Sequence, residues 1–135
     1  ITQISRDIKI LFYSSATDDH FKKIKDTFPD CLPDSQTVHF TQVGEFTSAV
    51  REMLFGLGIV LIVIRNEDEL NRMLTIKKSL DDHAIVLVLD NSIEDLTPQA
   101  LRLYPRYTSY LKNEYSDLFQ VLERMIAKIQ NSLAS

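Results

Sequence analysis

The sequence has few of the residues on which small catalytic and cofactor-binding motifs depend. Its 135 residues include only three glycines, one cysteine and no tryptophan. Two of the glycines, in Gly56-Leu57-Gly58, precede an apolar run instead of following one, which is the wrong context for a dinucleotide-binding loop. Cys31 has no second cysteine to pair with, so an internal disulfide is excluded.

Motifs for zinc binding and for serine hydrolases are missing as well. His20, His39 and His83 are scattered without a cysteine beside them, whereas zinc sites need closely spaced ligands. Ser14 and Ser15 do not stand in a Gly-x-Ser-x-Gly sequence, so the nucleophile elbow of a hydrolase is absent. We therefore expect neither a zinc centre nor a catalytic triad.

Charge and hydropathy narrow the class of protein further. A formal net charge of −4 and a pI near 5.3 disfavour nucleic-acid binding, which depends on clustered lysine and arginine. No apolar run approaches the roughly 18 residues of a membrane span, and residues 1–7 lack the apolar core of a signal peptide. We expect a single cytoplasmic domain over residues 1–135 that contacts neither nucleic acid nor membrane. Since the chain begins without Met, we expect it to be a segment of a longer protein.

Five short apolar runs alternate with amphipathic stretches and predict five β-strands. The runs cover residues 8–13, 37–41, 59–64, 84–89 and 107–111. The third and fourth are apolar at every position, as expected for strands of a parallel sheet that is covered on both faces. The alternation predicts a three-layer α/β fold with a doubly wound, five-stranded parallel sheet, flavodoxin-like in its strand order 2-1-3-4-5.

The amphipathic stretches between the strands predict the helices. The third helix is expected to begin in an acidic turn and to continue to Leu80, and a short fourth helix is expected from Pro98 to about Leu103. The last helix has a continuous apolar stripe, formed by Leu118, Leu122, Met125, Ile126, Ile129 and Leu133. In such a fold ligands bind at the carboxyl ends of the strands, near the point between the first and third strands where the order reverses.

Two segments, Ile8-Lys9-Ile10-Leu11 and Tyr110-Leu111-Lys112 before the last helix, resemble the first and fifth strands of the receiver domain of bacterial response regulators. The resemblance implies an acidic pair after the first strand, a phosphate-accepting aspartate ending the third, a hydroxyl ending the fourth, and a lysine ending the fifth. The matching positions hold Ser14 and Ser15, Val63 or Ile64, Leu89 and Lys112, and Asn113 replaces the usual proline.

Only the lysine of that set is retained, and Val63 or Ile64 offers no nucleophile for phosphoryl transfer. We therefore expect a degenerate receiver, or pseudo-receiver, that takes up no phosphate, has no enzyme activity and no cofactor, and serves signalling or regulation through protein contacts. Lys112 is expected to pair with Asp90 or Asp19 across the vacated pocket.

A different class of function remains open at the same loops. Ser14-Ser15-Ala16-Thr17 resembles the phosphate loop of flavodoxins, which would make the chain a small cofactor-binding enzyme. Asp18 and Asp19 follow it, however, and would repel a phosphate dianion. We expect Thr17 to cap the first helix instead.

Carboxylates that follow the first, third and fourth strands raise one more alternative, a divalent-metal-dependent enzyme. Oxygen ligands of this kind suit magnesium or calcium. The acids concerned are Asp18, Asp19, Glu67, Asp68 and Asp90.

Tyrosines and an arginine cluster near the fifth strand. Tyr104, Arg106, Tyr107 and Tyr110 are of residue types that are enriched at protein interfaces. The receiver resemblance implies that helix 4, strand 5 and helix 5 form the face that contacts a protein partner or a second copy of the chain. Tyr104 and Arg106 are predicted to be exposed.

Overall fold

The computed structural model describes residues 8–31, 35–53, 58–112 and 114–134. Leu54, Gly56, Leu57 and Asn113 lie outside this part of the chain, as does the side chain of Leu133. Five strands form one sheet: β1 (Ile8–Tyr13), β2 (Ser35–Phe40), β3 (Gly58–Ile64), β4 (Ala84–Leu89) and β5 (Tyr107–Tyr110). Every pairing is parallel and the order is β2-β1-β3-β4-β5, which confirms the predicted fold class.

Helices connect the strands. They are α1 (Asp19–Cys31), α2 (Val43–Glu52), α3 (Glu67–Thr75), α4 (Lys77–Leu80), α5 (Thr97–Ala100) and α6 (Ser116–Ala134). The predicted fourth helix is α5 with a 3₁₀ helix on each side, Asn91–Leu96 and Leu101–Leu103, and the predicted fifth helix is α6. Within the described residues, no helix combines the length and the apolar character needed to cross a membrane.

Several sequence-based boundaries differ from the structure by one residue or more, and two of the differences have a clear physical reason. The third helix is not continuous to Leu80, because Ile76 has φ −100° and ψ 15° and turns the chain between α3 and α4. The second strand begins at Ser35 instead of residue 37. As an edge strand paired only with β1, it tolerates polar residues that do not read as a strand in the sequence.

Two apolar clusters form the core, one on each face of the sheet. The cluster beneath α1 and α6 contains Ile10, Phe12, Leu61, Val63 and Val88 from the strands. The cluster beneath α2, α3, α4 and α5 contains Leu11, Tyr13, Ile62, Ile64 and Leu89. Because alternate strand residues enter opposite clusters, β3 is buried along its whole length, which explains its unbroken apolar sequence.

Hydrogen bonds between neighbouring backbone segments continue beyond the strand ends at the carboxyl edge. The Ser14 amide donates to the Phe40 carbonyl at 3.0 Å, and the Asp90 amide donates to the Ile64 carbonyl at 2.9 Å. These bonds fix the loops that follow β1 and β4. Backbone hydrogen bonds thus hold the first residues of both loops in line with the sheet.

Candidate functional site at the carboxyl edge of the sheet

Arg65 is the first residue after β3, and its guanidinium reaches the loop that follows β1. Nη1 donates to Oδ2 of Asp18 at 2.7 Å, and Nη2 donates to Oδ1 of the same carboxylate at 3.1 Å. Nη2 also donates to the Ser14 hydroxyl at 2.9 Å. The arginine side chain is 14% exposed and the aspartate side chain 41%, so this bidentate ion pair is partly shielded from water.

Asp18 is also the N-cap of α1. Its Oδ1 accepts a hydrogen bond from the Phe21 amide at 3.0 Å, and the helix begins at Asp19. The prediction that Thr17 caps this helix is therefore wrong, since the carboxylate one residue later reaches the free amide. Burial raises the pKa of Asp18, but the hydrogen bonds from Arg65 and Phe21 outweigh it and hold that pKa below its usual value.

Ser14 and Ser15, at the positions where the receiver resemblance implies an acidic pair, both make hydrogen bonds at the carboxyl edge. Ser14 is fully buried and donates its hydroxyl to the Ala16 carbonyl at 2.8 Å. Ser15 is exposed and donates to Oε2 of Glu69 at 2.5 Å, while Oε1 of Glu69 accepts from the Arg65 amide at 2.9 Å. The loop after β1 is therefore joined to the segment after β3 by two hydrogen bonds, one from Arg65 to Ser14 and one from Ser15 to Glu69 on α3.

The ends of β3 and β4 are apolar. Val63 is 1% exposed, and Ile64 and Leu89 are not exposed at all. Val63 enters the cluster beneath α1 and α6, whereas Ile64 and Leu89 enter the opposite cluster. Neither strand presents a carboxylate or hydroxyl at these positions.

The carboxylates proposed as metal ligands are not grouped. Asp18 is bound by Arg65, and Oδ1 of Asp90 accepts from the Ser92 amide at 2.9 Å as the cap of a 3₁₀ helix. Among residues 8–31, 35–53, 58–112 and 114–134, no three His, Cys, Asp or Glu residues are placed to hold a metal ion. The hypothesis of a cation site that includes Asp18, Asp19 and Asp90 thus has no support in the geometry.

Lys112 donates to Oδ2 of Asp117 at 2.7 Å. The predicted partners, Asp90 and Asp19, are wrong because the first turn of α6 brings a carboxylate closer to the lysine. The Tyr107 hydroxyl donates to the same carboxylate oxygen at 2.6 Å. This hydrogen bond, together with burial, raises the pKa of Tyr107 above its usual value.

Asp117 experiences opposing effects in this arrangement. Burial raises its pKa, but the hydrogen bonds from Lys112 and Tyr107 outweigh burial and hold it below its usual value. The lysine charge is thus compensated within the domain, as the arginine charge is at Asp18.

Tyr115 and His20 complete the edge, and the sequence analysis did not identify either as part of it. The Tyr115 hydroxyl accepts from the Lys112 amide at 3.1 Å and lies 2.8 Å from Nδ1 of His20. Burial raises the pKa of Tyr115. Arg65 was also missed, although a basic residue directly after an apolar central strand was a signal in the sequence.

The predicted interface residues divide into two pairs. Tyr104 is 74% exposed and Arg106 is exposed, as predicted. Tyr107 and Tyr110 are half-buried, and the Tyr110 hydroxyl lies 2.9 Å from the Thr97 hydroxyl oxygen. Their hydroxyls thus have partners within the domain, whereas Tyr104 and Arg106 are exposed.

Tyr104 has an unusual backbone for a bulky residue. Its φ of 53° is left-handed, and the ammonium of Lys77 lies 4.8 Å from the centroid of its ring. Leu101, one turn earlier, is 48% exposed. The structure therefore displays two large apolar side chains near the start of β5.

No family model and no curated protein matches the sequence. A CheY-like response regulator receiver domain protein from Methanospirillum hungatei is similar in structure, with a TM-score of 0.68 at 13% identity over 93% of this chain and 98% of the other. The chain has the receiver-domain fold. A putative pilus assembly-related protein from Burkholderia pseudomallei reaches 0.66 at 15% identity, over 94% and 95% of the two chains. An adenylate cyclase from Rhodopirellula baltica reaches 0.63 at 9% identity, over 95% and 93%.

Proposed function

We propose that this chain is a receiver-like signalling or regulatory module that takes up no phosphate and acts through protein contacts. The proposal places it in the cytoplasm of a bacterium, in a two-component pathway, without enzyme activity of its own. The observation that carries it is the pair of buried aliphatic residues, Val63 and Ile64, at the end of the central strand. The receiver-domain fold supports the signalling part.

Phosphorylation of an aspartate needs a carboxylate nucleophile and a magnesium ion that offsets the charge of the transferring group. Val63 and Ile64 have no lone pair to attack phosphorus, and Ser14 and Ser15 carry no charge to attract magnesium. Asp18, the nearest acid on the loop after β1, is neutralised by the guanidinium of Arg65. Asp18 also accepts the hydrogen bond of the Phe21 amide at the start of α1, a donor that a flavin phosphate would need.

Acetyl phosphate with magnesium tests the phosphate part of the proposal. After incubation of the purified chain, intact-mass spectrometry is expected to show only the unmodified protein, while an active receiver treated in parallel gains a phosphoryl group. A hydroxylamine-sensitive phosphoryl group on any aspartate of this chain would contradict the proposal, because that bond is an acyl phosphate.

The protein-contact part rests on the exposed surface that Leu101 and Tyr104 form. Exposed aromatic side chains are frequent anchors of interfaces, and a left-handed backbone at a bulky residue is strained. If a second copy is the partner, sedimentation at increasing concentration will show a dimer that Tyr104→Ala weakens. Lys22→Ala, an exposed change on α1 outside the predicted face, is the matched control. A dimer that Tyr104→Ala leaves unchanged would exclude this surface as its interface.

A further inference from the structure

A cavity lies at the amino edge of the sheet, opposite the candidate site. Its volume is about 500 Å³, and Gly58 and Ala84, which begin β3 and β4, form part of its wall. The wall also includes residues 81–83, Arg106 directly before β5, and the later turns of α6. The cavity shares no residue with the Arg65 and Lys112 clusters at the carboxyl edge.

The size and the apolar part of this cavity suit a small organic molecule. Ligand sites in proteins typically measure roughly 300–1,000 Å³ and combine apolar walls with a few polar groups. Met125 and Ile129 are half-buried side chains of α6 that pack on the core and also line the cavity. Their exposed parts offer an apolar surface to a ligand.

The charges that line the cavity are unequally compensated. Arg106 and Lys128 are exposed, and within the described residues neither side chain has a hydrogen bond or ion pair. Asp81, by contrast, is held by Lys77 at 3.0 and 3.2 Å, which leaves Asp82 as the one uncommitted acid. Among the described residues that line the cavity, two cations and one carboxylate therefore have no partner, although the net charge of the chain is −4.

We propose that this cavity binds a small organic anion, a carboxylate attached to an apolar body. The planar guanidinium of Arg106 suits a carboxylate, and Lys128 adds a second positive charge to the cavity lining. The apolar body contacts Met125 and Ile129. This site is additional to the proposed signalling function, because it involves no residue of the carboxyl edge and would persist if that edge did accept phosphate.

Titration with 4-phenylbutyrate, followed by amide chemical shifts, tests the proposal. Saturable shifts are expected at Gly58, Ala84 and Ile129, with a dissociation constant on the order of 1 mM for a ligand of this size. Inorganic phosphate provides the charge without the apolar body, and 4-phenylbutanol provides the body without the charge. Each is expected to bind at least about threefold more weakly, because each engages only half of the site.

Charge-removing substitutions locate the binding. Arg106→Gln and Lys128→Gln are each expected to weaken 4-phenylbutyrate about threefold, and together about tenfold, as for partly exposed ion pairs. Arg124→Gln, which removes an exposed α6 cation that does not line the cavity, is expected to have no effect. Circular dichroism checks that all variants are folded. Absence of saturable shifts at these amides, or equal affinity in the double variant, would overturn the proposal.

Discussion

Replacing Arg65 with methionine tests whether its ion pair with Asp18 is a structural bond of the domain. The change keeps an apolar stem but removes the two hydrogen bonds to Asp18 and the one to buried Ser14. We expect the free energy of unfolding to fall by about 2 kcal/mol, the lower part of the roughly 1.5–3 kcal/mol net contribution of a hydrogen bond to a charged group, because both partners are partly exposed and methionine avoids the desolvation cost of arginine. Urea denaturation followed by circular dichroism measures it.

The burial of the two partners sets this magnitude. Fully exposed pairs contribute about 0–1 kcal/mol, whereas breaking a buried pair costs roughly 3–5 kcal/mol. Arg65 is 14% exposed and Asp18 is 41% exposed, which places the pair between these limits. The guanidinium Nε is buried and has no partner among the described residues, so the arginine also bears a desolvation cost that methionine avoids. A coupling of about 1 kcal/mol is therefore expected for the pair alone.

A double-mutant cycle isolates that coupling from the capping role of Asp18. Asp18→Asn keeps a side-chain oxygen for the Phe21 amide while it removes the charge. The matched control is the exposed pair of Lys77 and Asp81, four residues apart on the surface, whose side chains are 30% and 44% exposed. The control cycle, with Lys77→Met and Asp81→Asn, is expected to give about 0.3–0.5 kcal/mol.

The reasoning fails if the Arg65–Asp18 coupling is no larger than that of the control pair, or lies within the roughly 0.3 kcal/mol by which independent sites add. Either result would mean that solvent screens the pair completely. The guanidinium would then merely cover the carboxyl edge, and its bond to Asp18 could not be used as an argument against a cation site there.

Acid unfolding gives a second readout of the same pair. The folded-state pKa of Asp18 is lowered, so its contribution to stability is fully present above the unfolded pKa of about 3.9 and is lost as the pH falls through the folded pKa. In Arg65→Met this acid-dependent loss is expected to shrink, because the folded and unfolded pKa values approach each other. An unchanged pH dependence between pH 5 and 2, roughly the window that this linkage affects, would contradict the assignment.

Three further predictions concern other parts of the domain. Gly58→Ala is expected to lower the free energy of unfolding by about 1–3 kcal/mol in urea denaturation, since a Cβ there would lie 2.9 Å from Cε of Met53 and 3.0 Å from the Lys9 carbonyl oxygen. Asp117→Asn is expected to lower the pKa of Tyr107 towards 10.0 in an ultraviolet titration, because it removes the charged hydrogen-bond acceptor. Tyr104→Asn is expected to change stability by less than about 1 kcal/mol, since asparagine tolerates a left-handed backbone and this offsets the loss of the Lys77 contact.

The fold could be predicted from the sequence because burial determines it. The unbroken apolar run of β3, flanked by amphipathic stretches, is the pattern expected of a central strand with helices on both faces. The break at Ile76 could not be predicted in this way, because the apolar periodicity of α3 continues into α4 and the turn depends on one residue's backbone angles.

The candidate site was less predictable because it depends on which polar partners come together. The sequence located Ser14, Ile64 and Lys112 at the carboxyl edge, but it could not choose among several carboxylates for the lysine. The choice of Asp117 follows from the position of the first turn of α6 relative to the fifth strand. Arg65 could not be identified from the receiver pattern, because that pattern concerns the residues that end the strands and Arg65 follows the end of β3.

The two edges of the sheet differ in whether their lysine and arginine side chains are paired with carboxylates. This difference bears on where a charged ligand would bind. At the carboxyl edge Arg65 and Lys112 each hold a carboxylate at 2.7 Å, so neither Asp18 nor Asp117 could bind a magnesium ion without losing an ion pair. At the amino edge Arg106 and Lys128 have no such partner among the described residues, so an anion meets no competing carboxylate on either cation. The two cations without a partner therefore explain why we propose an anion site at the amino edge, and not at the carboxyl edge where this fold usually binds ligands.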